Sequence, residues 1–149
     1  MTTVKVAILG FGTVGQGIYH IVNEKRKQFN DTLGVDIEIV KILVNNLNKS
    51  RSHAPKELFT DKFEDILAIP DLDVVFEAIV GEEPAFRYLS KIIEKGSNII
   101  TANKVMFSKH GLALQEKAWY DFCFLLKSSI STAQLPEQGG KPKHNALGF

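Results

Sequence analysis

A single cysteine, Cys123, stands among the 149 residues, so the chain forms no internal disulfide and nothing in it points to an oxidising compartment. No stretch approaches the roughly 18 consecutive apolar residues of a membrane-spanning helix. The opening MTTVKVAILGFG has too short an apolar core for a signal peptide. The expectation is a cytoplasmic protein without membrane contact. A formal net charge of +1 leaves neither a basic field for nucleic acid nor an acidic tail. His20, His53, His110 and His144 show no metal-ligand spacing with one another or with Cys123, so no metal is expected. Trp119, Tyr120 and Phe122 lack an accompanying basic groove and read as packing residues rather than a base-stacking platform. Ser108 beside His110 matches no nucleophile motif.

What the chain does have is ordinary globular composition, 44% apolar and 23% charged, at a length suited to one domain with a real core. Short β-rich runs alternate with helical ones. VKVAIL (4–9) reads as a strand, and the apolar residues from Thr13 to Phe29 recur at helical spacing. NDTLG (30–34) reads as a turn, and VDIEIVKILV (35–44) as a strand entering a covered parallel sheet. NNLNKSRSHAP is loop-like, and a short helix is predicted from Asp61 to Leu67. DVVFEAIV (73–80) reads as a nearly unbroken apolar strand. GEEPAFRYLSKIIEKG reads as a helix with two glutamates and a proline in its first turn and Gly96 at its end. NIIT (98–101) is a fourth strand, residues 103–120 a helix broken or re-capped at Gly111 near His110, and DFCFLL (121–126) a fifth strand. Such alternation predicts right-handed crossovers and one α/β domain over 1–126, a doubly wound parallel sheet of Rossmann type. Residues 127–149 are polar and without period, and read as an irregular tail.

GFGTVGQG (10–17) directly follows the first strand and opens the first helix. Gly10, Gly12 and Gly15 fit G-x-G-x-x-G in the setting that motif requires. Gly10 permits the tight turn, Gly12 lets the backbone approach a pyrophosphate, and Gly15 allows close helix–strand packing. The helix N-terminus offers N–H groups to the phosphates. Phe11, Thr13 and Val14 complete the candidate turn. A carboxylate at the end of the second strand would select NAD, but Asn45 stands there, and the first carboxylate beyond it is Glu57, outside the NNLNKSRSHAP loop. Lys49 and Arg51 are available to a 2′-phosphate. The cofactor is therefore read as NADP or NAD.

The fourth strand ends in TANKVMFSKHG (101–111), which a doubly wound sheet places beside the cofactor together with Ala78–Gly81, including Ile79. Spacing alone leaves two readings of Asn103 and Lys104. One is a helix cap followed by a solvent lysine; the other is a lysine that moves a proton or binds a substrate carboxylate.

GFGTVGQG after VAIL, DVVFEAIVGEEPA before a helix, and above all ITANKVMFSKHG resemble the nucleotide-binding domain of homoserine dehydrogenase, in order from about residue 4 to about residue 120. The resemblance implies reversible oxidation of L-homoserine to L-aspartate 4-semialdehyde with NAD(P), on the route to threonine and methionine. It also implies nicotinamide and ribose contacts from Thr101 and Asn103, and an active-site role for Lys104. Family members often carry an arginine just after the second strand, where this chain has Asn45. The family's Glu-Ala-Ser-Val segment is not recognisable after the fifth strand, and the substrate and dimerisation domain is absent from the 149 residues. A truncated chain is therefore expected, with cofactor binding, little turnover, and self-association through apolar surface left uncovered. Two other readings are a stand-alone dinucleotide-binding or sensing module and another amino-acid or semialdehyde dehydrogenase. Cys123, inside an apolar strand, makes a poor semialdehyde nucleophile.

Overall fold

The computed structural model of the chain describes residues 2–51 and 53–121, and the backbone of 125–127. Six parallel strands form one sheet in the order β3-β2-β1-β4-β5-β6. They are β1 (Thr2–Leu9), β2 (Val35–Leu43), β3 (Phe59–Thr60), β4 (Val74–Glu77), β5 (Asn98–Thr101) and β6 (Leu125–Lys127). This is the doubly wound α/β architecture that the sequence predicts, with strand order reversing at β1.

β1 shows why both faces must be covered. Val6 and Ile8 belong to one buried cluster, with Val22, Ile39 and Ile42. Ala7 and Leu9 face the other way, into a second cluster with Leu89, Ile93, Ile99 and Leu114. Successive side chains of a strand point to opposite faces, so an unbroken apolar run requires packing on each side. The first cluster lies beneath α1 (Thr13–Glu24). The second is filled by α4 (Ala85–Lys95), which buries Ala85, Leu89, Ile92 and Ile93, and by α5 (Lys104–Tyr120), which buries Met106, Leu114 and Ala118.

Several boundaries differ from the sequence reading, each for a local reason. The predicted first helix is two helices: α1 stops at Glu24, and α2 (Arg26–Leu33) continues through the predicted 30–34 turn. Asn30, Asp31 and Thr32 are weak turn signals, whereas Gly34, left-handed at φ 67°, supplies the actual stop. Arg26 holds α2 to β2 by a two-pronged contact with Asp36, Nε–Oδ1 and Nη2–Oδ2 both at 2.5 Å. The two-residue β3 carries too little periodicity to be seen in the sequence. α3 is only Phe63–Leu67. α4 begins at Ala85, so Glu82, Glu83 and Pro84 precede it rather than forming its first turn.

α5 runs through Gly111 without a break. A Cβ on Gly111 would lie 2.8 Å from the Phe107 ring, so the small residue makes room for its i−4 neighbour and is not a cap. His110 accordingly sits inside a helix rather than at its end. Of the predicted fifth strand, Asp121 is a turn residue and Leu125–Lys127 form β6, while 122–124 lie outside the described residues. Cys123, His144 and the stretch after Lys127 read as a tail lie outside the described residues.

Candidate functional site

The carboxyl ends of β1, β4 and β5 lie side by side, with Leu9 opposite Glu77 and Glu77 opposite Thr101. In a doubly wound sheet this edge is where ligands bind. The candidate residues Gly10–Gly15, Ile79, and Thr101–Lys104 all leave the sheet along it.

The glycine turn has distinct demands at each position. Gly10 adopts φ +94°, and a Cβ there would come within 2.8 Å of the Ala78 carbonyl oxygen. The loops after β1 and β4 therefore touch through a residue without a side chain. A Cβ on Gly15 would lie 2.1 Å from the Gly10 carbonyl oxygen, which fixes the close approach of α1 to the turn. Gly12 is different: nothing lies within 4 Å of the position its Cβ would take. The fold itself does not need glycine there, and the space beside it is open to a ligand. Gly12 immediately precedes α1 at its N-cap position, and no side chain caps that end. The uncapped helix N-terminus, with Thr13 and Val14 exposed in its first turn, presents positive potential and N–H groups to an anion. Phe11 is buried, edge-on to Tyr19 and Phe59, and so anchors the turn rather than projecting from it.

Asn45 is exposed just beyond β2, next to Val44, whose N–H donates to the Thr60 carbonyl at 2.8 Å. The loop that follows curls back toward the glycine turn. Phe11, Gln16, Lys49, Ser50, Arg51 and His53 enclose a small polar cavity of about 130 Å³. Arg51 is fixed over the Phe59 ring at 5.4 Å, and its Nη1 donates to the carbonyls of Asn46 and Lys49 at 2.7 and 3.0 Å.

At the other side, the structure brings Ile79, Thr101 and Asn103 together around Glu77, a residue that sequence reasoning missed. Glu77 is fully buried at the last position of β4. Its Oε1 accepts from the Ile79 N–H at 2.7 Å and from Asn103 Nδ2 at 3.4 Å, and its Oε2 accepts from the Thr101 hydroxyl at 2.5 Å. Burial pushes the Glu77 carboxyl above the ordinary glutamate range, against the opposing pull of these three donors. The Ile79 bond also explains why β4 ends at Glu77 instead of continuing to Val80: the carboxyl captures an N–H that a longer strand would spend on its neighbour. The signal was in the sequence, since Glu77 is the one charged residue among the apolar positions of VVFEAIV.

Asn103 does cap α5, with Oδ1 accepting from the Met106 N–H at 3.0 Å while Nδ2 donates to the Gly81 carbonyl at 2.6 Å. Thr101 and Asn103 are both buried, whereas Lys104 is exposed as the first residue of α5. A second cluster ties the same loop to α5. Glu82 Oε2 accepts from Lys109 Nζ at 2.6 Å, Glu82 Oε1 lies 2.5 Å from His110 Nε2, and the His110 ring stacks on Phe86. Hydrogen bonding from Lys109, then from His110, holds the Glu82 carboxyl below the ordinary range. Among the described residues no three His, Cys, Asp or Glu side chains gather as metal ligands, and no helix is long and apolar enough to cross a membrane.

Sheet order, glycine turn and uncapped first helix together define a Rossmann-type domain. The sequence profile described as "Homoserine dehydrogenase, NAD binding domain" matches residues 10–121, and the chain belongs to that family. It is 36% identical over 119 residues to homoserine dehydrogenase of Lactococcus lactis, covering 78% of this chain and 28% of that protein. It is 35% identical over 147 residues to the homoserine dehydrogenase of a Synechocystis strain, covering 98% of this chain and 33% of that protein. A crystal structure of Staphylococcus aureus homoserine dehydrogenase at pH 6.0 superposes with a TM-score of 0.80 at 34% identity, over 85% of this chain and 33% of that one. The homoserine dehydrogenase structure from Thiobacillus denitrificans gives 0.78 at 30% identity. The chain thus spans about a third of the length of the relatives it matches.

Proposed function

We propose that this chain binds NADP or NAD along the carboxyl edge of its sheet, as the cofactor part of a homoserine dehydrogenase. The observation that carries the reading is Gly12, the one glycine of the motif that packing does not require, placed at the uncapped start of α1. Gly10, Phe11, Gly12, Thr13, Val14 and Gly15 form the pyrophosphate turn, and the exposed Asn45 lies at the adenine-ribose end. Lys49 and Arg51, beside the small polar cavity, favour a 2′-phosphate and hence NADP. Ile79, Thr101 and Asn103 shape the nicotinamide end. When bound, the nicotinamide supplies hydride chemistry. Exposed Lys104, at the same edge, would serve the substrate as proton carrier or carboxylate ligand. The reaction proposed for the complete enzyme is interconversion of L-homoserine and L-aspartate 4-semialdehyde.

The 149 residues alone are expected to hold the cofactor with little turnover, because nothing among the described residues covers the Thr101–Lys104 edge to exclude water and orient a substrate. Homoserine-dependent reduction of NADP by the purified chain tests this. A rate close to that of a full-length homoserine dehydrogenase assayed alongside would overturn it. A second reading, a cofactor-binding module without catalysis, predicts the same binding. Supplying the chain with a substrate domain separates the two: homoserine-dependent activity that K104A lowers supports the dehydrogenase reading, and no activity favours the module.

A further inference from the structure

The sheet edge carries one group that the cofactor reading does not use. Glu77 is fully buried, yet its carboxyl touches both loops that bound the nicotinamide end. From the β4 side it takes the Ile79 N–H, and from the β5 side the Thr101 hydroxyl and the Asn103 amide. The contacts interlock further. Thr101 Oγ1 accepts from the Asn103 N–H at 3.1 Å while donating to Glu77, and Asn103 Nδ2 reaches across to the Gly81 carbonyl. The backbone closes the same ring, since the Ala102 N–H donates to the Glu77 carbonyl at 2.9 Å. The three partners of the carboxyl, one backbone N–H and two side chains, are all uncharged, so Glu77 has no ion pair among the described residues to account for it. A buried carboxyl is costly, and a strand end could be closed by any apolar residue.

We propose that Glu77 is a positioning residue for cofactor binding: its carboxyl locks the Ile79–Gly81 and Thr101–Asn103 loops at one spacing, the spacing that receives the nicotinamide half. The inference rests on the cofactor reading above. Because the polar atoms of the Asn103 side chain are already engaged by Glu77, Gly81 and Met106, Asn103 acts on the cofactor through the loop it fixes rather than as a free hydrogen-bonding arm. Gln at position 77 can keep this lock. Its Oε1 accepts the Ile79 and Asn103 protons, and its Nε2 donates to Thr101 Oγ1 with the direction of that one bond reversed, at the cost of the Thr101 hydroxyl proton's acceptor. Asp withdraws the carboxyl from the loops by one methylene, and Ala removes it.

The test compares binding of NADPH with binding of 2′,5′-ADP, which carries only the adenine half, to the wild-type chain and to E77Q, E77D and E77A. If wild type takes NADH instead, NADH and 5′-ADP replace the pair; wild type that binds none of these overturns the cofactor reading and this inference with it. Wild type that binds NADPH no more tightly than 2′,5′-ADP overturns the inference alone. We expect E77A and E77D to weaken NADPH at least about tenfold, the size of one displaced hydrogen-bonded anchor. The same variants should leave 2′,5′-ADP within about twofold, and E77Q should keep NADPH within about threefold, since the same atoms still bridge the two loops. A merely structural role would weaken both ligands alike, and that result, or wild-type NADPH affinity in E77D and E77A, overturns the positioning role. Should E77A fail to fold, E77D against E77Q carries the same comparison.

Discussion

Three glycines of one motif do three different things in this chain, and substitution separates them. At Gly10 a methyl group meets the Ala78 carbonyl and the backbone is left-handed, and at Gly15 it meets the Gly10 carbonyl. Gly10→Ala and Gly15→Ala should therefore destabilise the fold by at least about 1 kcal/mol each, by strain and overpacking. Gly12→Ala meets only open space and should change stability by less than about 0.5 kcal/mol. Chemical denaturation of the three variants checks this, and a Gly12→Ala as unstable as the others would mean that the turn is built for packing alone.

Glu77 makes a second prediction at this scale. Burial raises its pKa in the folded chain above that of the unfolded chain, so the folded state holds the proton to higher pH. Its contribution to stability is therefore complete below the ordinary glutamate value and declines as pH rises through the raised one. Gln does not ionise, so the Tm of E77Q relative to wild type should increase as pH rises above the ordinary glutamate value. Glu82 and Asp36 have the opposite sign: ion-pairing lowers both, and their stabilisation is lost as pH falls through the lowered values. They are present in both proteins and drop out of the comparison. A Tm difference that shrinks as pH rises would contradict the assignment.

Among the elements, the polar loop after β2 is where the proposed cofactor choice would be made. It folds back so that Lys49, Arg51 and His53 border the cavity beside Phe11 and Gln16. Arg51→Ala should weaken NADPH about tenfold, the range of a lost charge-assisted hydrogen bond, and leave NADH nearly unchanged. Equal loss for both cofactors, read by titration, would place Arg51 in loop structure only. This loop also shows where the sequence stopped being informative. The main strands and helices were legible because their apolar periods are long and the sheet buries both faces. The glycine turn was legible because its setting, strand then helix, is local. The two-residue β3, the α1–α2 break at Lys25 and the unbroken run of α5 past Gly111 depend on contacts distant in the chain or on one neighbour's ring. Glu77 was visible as a charge in an apolar strand, but its partners Thr101 and Asn103 lie on β5 and at the start of α5, and only the parallel pairing of β4 with β5 brings them to it.

Over the whole molecule, apolar side chains remain exposed near the site edge. Val80 is 95% exposed, and Val105 and Leu112 of α5 are each more than half exposed. Apolar groups left open at a binding edge favour association. The purified chain is expected to self-associate in a concentration-dependent way, which sedimentation velocity would show; Val80→Ser with Leu112→Ser should reduce it, and a monodisperse wild-type monomer at every concentration would refute it. The central claim is nonetheless about the cofactor. Its most direct test is calorimetric titration of NADPH, and of NADH, into the purified wild-type chain and into Gly12→Ala. The account predicts saturable binding by wild type, weakened at least about tenfold in a variant of unchanged stability, because a methyl group then occupies the pyrophosphate's approach. Absence of binding by the folded wild type, or equal binding by Gly12→Ala, would contradict it.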